Sequence, residues 1–258
     1  IYTETAGCNT VVLESCADLD AMARSLATTM CMFSAQMCTS PQNIYIPEQG
    51  IRVGNGEDSR IASFDEVSGK IASSVAALTG EPKRAAMILA TIQADETLDL
   101  LQNLSRKGAE VGRVLLDSKS YPHPEFADAR TATPLIMAVT AAERSLYGGE
   151  RFGPVSFCIR VKDAADALAQ ATQDVEEFGG LTAFLYSTDP DYVAEAEAAY
   201  ACVGAQLTSN LTGAMPLNFA AAYSDYHVTG LNPAGNASLT DLAFVASRFR
   251  IAQSRKPV

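Results

Sequence analysis

Cys38 lies in the stretch FSAQMCTSPQN (Phe33 to Asn43), between an apolar run and a proline-marked turn. A thiol so placed can attack a carbonyl or acyl carbon if its pKa is lowered and a neighbouring group handles protons. The chain has two histidines, His123 and His227, and neither stands in an obvious partner position. A carboxylate would have to serve as the base. Judged by itself, a single cysteine is more often a small buried hydrophobe than a nucleophile. The other five, Cys8, Cys16, Cys31, Cys158 and Cys202, form no CxxC pair and are spread thinly over 258 residues. That spacing argues against a disulfide framework or a zinc knuckle, so no metal is expected and a reducing cytoplasm fits better.

The elements that must position Cys38 are legible around it. NTVVLE (Asn9 to Glu14) is a β-branched run that reads as a buried strand. Leu19, Met22, Ala23, Leu26, Met30 and Phe33 then recur at helical spacing, with Ser15 and Asp18 placed to cap the helix start. Cys38 follows on a loop before the apolar run Ile44-Tyr45-Ile46, a common setting for chemistry. Helices are expected over Glu66 to Leu78 and Asp95 to Leu104, and strands over Val111 to Leu116 and Pro134 to Val139. The last part of this pattern alternates: strand over Pro154 to Val161, helix over Asp163 to Phe178, strand over Leu181 to Thr188, helix over Asp189 to Gly204. Such alternation predicts an α/β fold with a largely parallel sheet flanked by helices. No repeat, low-complexity tract or linker-like stretch divides the chain, so one domain over residues 1–258 is expected.

Composition narrows the partners. With 48% hydrophobic and 19% charged residues the chain reads as globular. A formal charge of −11 and an isoelectric point near 4.6 argue against nucleic acid or an anionic membrane. No apolar run approaches the ~20 residues that span a bilayer. The opening IYTETAGCN has no basic n-region and no starting methionine, which is expected of a piece cut from something larger. The Asn-x-Ser/Thr triplets at Asn103, Asn210 and Asn236 read as chance matches.

Three fragments, ETAGCN (Glu4 to Asn9), AQMCTSPQ (Ala35 to Gln42) and ERFGPV (Glu150 to Val155), resemble the three C-terminal signatures of the aldehyde dehydrogenase superfamily. These are the glutamate-Leu-Gly-Gly box, the Gly-Gln-x-Cys box and the Glu-x-Phe-Gly-Pro box. Their order agrees with the family, as does the placing of Glu4 34 residues before Cys38. The resemblance runs to about Gly230 and covers the family's catalytic half; the glycine-rich nucleotide-binding half, which would precede Ile1, is expected to be absent. QMCTSPQNIYIP and the tail DYHVTGLNPAGNASLTDLAFVASRFR further resemble the aldehyde dehydrogenases of bacterial phenylacetate degradation, whose substrate is the semialdehyde left when a CoA-linked ring is opened.

The resemblance implies a role for each matched residue. Cys38 matches the nucleophile that attacks the aldehyde carbon, after which hydride transfer to NAD or NADP leaves a thioester. Glu4 matches the base that activates water to hydrolyse it, and its presence favours an acid product over transfer to free CoA. Glu150 matches the carboxylate that bonds the nicotinamide ribose, and Phe152 the ring that packs on that ribose. Taken alone, Glu150 would read as a solvated charge and Phe152 as a core aromatic. A small aldehyde is the implied substrate, the full-length enzyme is expected to be a homo-oligomer, and the isolated chain is expected to be inactive. Ala6 and Ala35 depart from the family's glycines, adding a methyl where backbone and cofactor approach closely. AAYSDYHVTG (Ala221 to Gly230) replaces the late Pro-Phe-Gly-Gly-x-Lys stretch, so the roles of Tyr223, Tyr226 and His227, pocket or structural, stay open. Two other readings remain: a thiol-dependent esterase, and a non-catalytic module that docks a nucleotide-binding half or sister subunits.

Overall fold

The structure is a computed structural model that describes residues 7–111 and 113–212. Its elements in chain order are β1 (Thr10–Leu13), β2 (Ser15–Cys16), α1 (Leu19–Cys31), β3 (Asn43–Pro47), β4 (Ile51–Val53), β5 (Arg60–Ala62), α2 (Phe64–Thr79), α3 (Pro82–Ile88), α4 (Asp95–Val111) and β6 (Arg113–Leu116). There follow β7 (Leu135–Thr140), α5 (Arg144–Tyr147), β8 (Val155–Val161), α6 (Ala164–Phe178), β9 (Thr182–Tyr186), α7 (Pro190–Val203) and β10 (Gln206–Ser209).

A seven-stranded sheet runs in the order β10-β9-β1-β3-β8-β7-β6. All its pairs are parallel except the edge pair β6–β7. The central strands are covered on both faces, which explains their near-continuous apolar runs: every residue of β1 and β3 is buried. Alternation along each strand sorts the side chains into two cores. Val11, Leu13, Ile44 and Ile46 join α1 and α2 on one face. Val12, Tyr45, Phe157 and Ile159 join α6 and α7 on the other. A small sheet, β2-β4-β5, stands beside the main one. The expected α/β fold with a mainly parallel sheet is therefore the fold observed.

Local details differ from expectation for identifiable reasons. Asp18 alone caps α1, accepting the amides of Asp20 and Ala21, whereas Ser15 belongs to β2 and bonds Glu14 and Thr188. Phe33 does not extend the apolar stripe of α1. The helix ends at Cys31, and Phe33, Ser34 and Ala35 take left-handed backbone angles (φ 53°, 55° and 49°), leaving Phe33 exposed. Val111 closes α4 instead of opening the next strand. Strands β4, β5 and β10 and helix α3 escaped the sequence pattern because they are short. Asn210 bonds the Ser187 backbone in both directions from its own left-handed turn, which accounts for that residue structurally. Among the described residues no helix is long and apolar enough to cross a membrane.

Candidate active site

The carboxyl ends of the parallel strands are where open α/β sheets usually bind ligands, often with phosphate at a helix N-terminus. Here those N-termini are already occupied. Asp18 after β1, Asp163 after β8 and Asp189 after β9 each accept backbone amides of the helix that follows. Each carboxylate satisfies amides a phosphate would need and repels it by charge.

The segments singled out in the sequence meet at the opposite, amino ends of the strands. Gly7 to Asn9 lead into β1, Cys38 to Gln42 into β3, and Glu150 to Pro154 into β8. A narrow, open cleft runs between them, walled by Met37, Ser40 and Gln42 on one side and Glu150, Phe152 and Gly153 on the other. Gly7 also lines this cleft, and a Cβ there would come within 2.3 Å of the Gly179 carbonyl oxygen, so only glycine fits.

Cys38 is half-buried on the turn between Met37 and Ser40. Burial separates it from four other thiols: it pushes Cys8, Cys31 and Cys158 up to about 12 and Cys16 to about 11, holding them protonated at neutral pH. Cys202 is exposed on α7, outside the three segments that meet at the cleft.

The turn before Cys38 is anchored from outside. Ser34 is buried and donates to the Ala90 carbonyl at 2.7 Å. Gln36 donates to Thr91 at 2.9 Å and accepts the Gln93 amide at 2.9 Å. These bonds hold the three left-handed residues in place. Ala35, one of the departures from glycine, is buried and lines the cleft.

Gln42 ties the two cleft walls together. Its Oε1 accepts the Arg151 amide at 2.6 Å, and its Nε2 donates to the carbonyls of Tyr147 (3.0 Å) and Gly149 (3.1 Å). Glu150 is thus held between two residues bonded by one carboxamide. Arg151 turns away, donating to Leu146 and Ser145. Glu150 itself stands exposed, its carboxyl raised above the ordinary range by the partial burial of its surroundings. Phe152 is 47% exposed, so its ring is no core aromatic.

A buried carboxylate backs this wall. Asp174 of α6 is fully buried and accepts from Asn43 at 2.7 Å and from the Tyr45 hydroxyl. Arg144 lies 2.7 Å from the other oxygen, off the line of a straight hydrogen bond. Burial raises the Asp174 carboxyl, while Tyr45, Asn43 and Arg144 oppose that rise.

The structure therefore brings Cys38's turn together with Glu150 and Phe152 along one cleft. Glu4, Tyr223, Tyr226 and His227 lie outside the described residues. Sequence reasoning assigned nothing to Asn9, Gln42 or Thr182, although Asn9 and Gln42 sit inside the quoted motifs. Their duty is to bond backbone atoms of distant loops, which no local pattern announces.

A half-buried thiol-bearing turn beside a carboxylate and an uncovered aromatic ring can hold a carbonyl compound and one edge of a sugar. The family model described as the aldehyde dehydrogenase family matches residues 1–219. The chain is similar to the crystal structure of an NAD-dependent aldehyde dehydrogenase from Burkholderia multivorans, with 45% identity and a TM-score of 0.82 over 96% of this chain and 43% of that one. Among curated proteins it is similar to the N-succinylglutamate 5-semialdehyde dehydrogenases of Pseudomonas fluorescens (30% identical) and Burkholderia cenocepacia (26% identical). Those matches take in 73% and 72% of this chain, but 36% and 35% of the relatives' own lengths. The chain thus spans little more than a third of the curated relatives it matches.

Proposed function

The chain belongs to the aldehyde dehydrogenase family, and on that premise we propose that it is the nucleophile-bearing catalytic portion of an NAD(P)-dependent enzyme that oxidises an aldehyde to an acid. The observation that carries the reading is the cleft that sets the Cys38 turn against Glu150 and Phe152.

Cys38 attacks the aldehyde carbon through Sγ and ends as a thioester. Its own backbone N–H can supply one donor to the oxygen that gains charge. Glu4 takes a proton from water, which then hydrolyses the thioester and regenerates the thiol. Gly7, which lines the cleft, lies three residues from Glu4, a stretch that reaches at most ~11 Å. Glu150 would hold the ribose of a nicotinamide nucleoside through its carboxylate and Phe152 would pack against that sugar, which suits an exposed acceptor beside an uncovered ring. When bound, the nicotinamide supplies the two-electron acceptor. The pyrophosphate is held mainly by a nucleotide-binding portion outside this chain, consistent with the fraction of its relatives that the chain spans.

The substrate we propose is a CoA-linked semialdehyde of the phenylacetate ring-opening type, on the strength of QMCTSPQNIYIP around Cys38. The similar curated proteins are themselves named for a semialdehyde. We place the enzyme in a reducing cytoplasm, where Cys38 stays a thiol, and as a homo-oligomer.

The test uses the chain joined to its nucleotide-binding portion. Cys38→Ser removes all nucleotide reduction, because an unactivated hydroxyl is a far poorer nucleophile than a thiolate. Glu4→Gln leaves a burst of about one reduced nucleotide per site, followed by turnover slowed roughly 10²- to 10⁴-fold. Hydroxylamine, which attacks thioesters without a base, partly restores that turnover. Loss of the burst in Glu4→Gln would show that Glu4 acts before the thioester forms, and unchanged turnover would remove it as the base.

A further inference from the structure

Three successive carbonyls of the turn that bears Cys38 are each taken by a side chain from another element. Asn9, just before β1, donates from Nδ2 to the carbonyl oxygens of Cys38 (2.8 Å) and Ser40 (3.0 Å). Thr182, the first residue of β9, donates its hydroxyl to the carbonyl of Thr39 between them (3.1 Å). The clamp is itself fixed. Asn9 is 2% exposed, and its Oδ1 accepts the amides of Leu181 (2.9 Å) and Thr182 (3.0 Å). Its backbone carbonyl accepts the amides of Gln42 and Asn43. With two carbonyls at one end of the carboxamide and two amides at the other, the partners admit a single side-chain orientation.

An exposed turn normally leaves its carbonyls to water. Here β1 and β9, paired in register with Thr10 opposite Ala183, hold them from the floor of the sheet. Peptide units are planar, so fixing the oxygens of residues 38, 39 and 40 fixes the backbone from which the thiol projects. We infer that Asn9 and Thr182 are positioning residues that set the attack geometry of Cys38. The inference rests on the reading of Cys38 as the nucleophile. Its physical motive is the steep dependence of attack on placement: a displacement of about 1 Å can cost about 100-fold.

Two reagents separate aim from exposure in the 258-residue chain. Iodoacetamide alkylates any accessible thiolate. p-Nitrophenyl acetate must be attacked along a set direction: a bond forms from Sγ to the acyl carbon, the aryl ester C–O bond breaks, p-nitrophenolate leaves, and the thiol proton passes to solvent. In the parent chain Cys38 is alkylated first of the six cysteines, and Cys38→Ser stops acylation; another cysteine reacting first would overturn the nucleophile reading itself. Given that result, Asn9→Ser lowers the ratio of acylation to alkylation at Cys38 about tenfold and Thr182→Val about threefold. Thr182→Ser, which keeps the hydroxyl, restores it. Cys8, Cys31 and Cys158 stay unlabelled throughout. A ratio unchanged in Asn9→Ser and Thr182→Val overturns the clamp. If Asn9→Ser opens the core and exposes Cys158, the Thr182→Val and Thr182→Ser pair, which differ in one hydroxyl, decides.

Discussion

Ala35 occupies a position where the backbone itself asks for glycine. Its φ of 49° lies in the left-handed region, where a Cβ costs roughly 1–2 kcal/mol. The resemblance to the Gly-Gln-x-Cys box marked this residue as a departure and suggested crowding of a cofactor; the backbone angle gives a second, intramolecular reason for the family's glycine. Ala35→Gly relieves that cost but frees the unfolded chain by ~0.4–1 kcal/mol. The expected net change in urea-unfolding free energy is between about zero and about +1.6 kcal/mol. Ala27→Gly, within the buried face of α1, should instead lose about 1 kcal/mol or more. An Ala35→Gly loss as large as that of Ala27→Gly would show that the left-handed turn carries no strain. The sequence displayed Cys38, Glu150 and Phe152 because each sits inside a short contiguous fragment that resembles a family motif. It was silent about Asn9, Gln42 and Thr182, whose partners are carbonyls and amides up to 173 positions away.

At the scale of elements, the sheet was legible where strand and helix alternate and both faces are covered, from β8 through α7. The parts that hide are polar. Helix α6 carries Asp174 on the same face as Ala167, Ala171 and Val175, and the structure buries this polar member completely against β3 and α5. This carboxylate joins three elements behind the Glu150 wall. Asp174→Asn keeps one acceptor but sets an amide N–H2 among donors, with an expected loss of about 1–3 kcal/mol. The pH trend has a definite sign. A carboxyl whose folded pKa is raised contributes stability below its unfolded value, near 3.9, and loses it as pH rises through the folded value. The advantage of the parent over Asp174→Asn should therefore be greatest near pH 4 and shrink toward pH 7, read from urea midpoints of both proteins. An advantage that grows with pH would mean that Arg144, Asn43 and Tyr45 outweigh burial.

At the scale of the whole molecule, the candidate site and the helix-capping acids lie at opposite ends of the parallel strands. The amino ends gather Cys38, Glu150 and Phe152; the carboxyl ends gather Glu14, Asp18, Glu48, Asp163 and Asp189. Three of those acids close the helix N-termini that a pyrophosphate would otherwise use. The chain as a whole carries a formal charge of −11, which opposes a dinucleotide anion further. On the proposed reading, what remains for NAD or NADP is the sugar edge that Glu150 and Phe152 would offer. One or two hydrogen bonds at about 1 kcal/mol each and partial cover of one ring amount to about 2–4 kcal/mol, which corresponds to a Kd of about 1 mM or weaker. Calorimetric titration of the 258-residue chain with either nucleotide should therefore show no binding tighter than that, and aldehyde oxidation should be undetectable. Cys38 should nevertheless be alkylated before Cys8, Cys16, Cys31 and Cys158, since burial holds those four protonated while Cys38 is only half-buried. A micromolar Kd for either nucleotide would require a phosphate cradle that the described carboxyl ends do not contain, and would overturn the division of labour proposed between this chain and a nucleotide-binding portion.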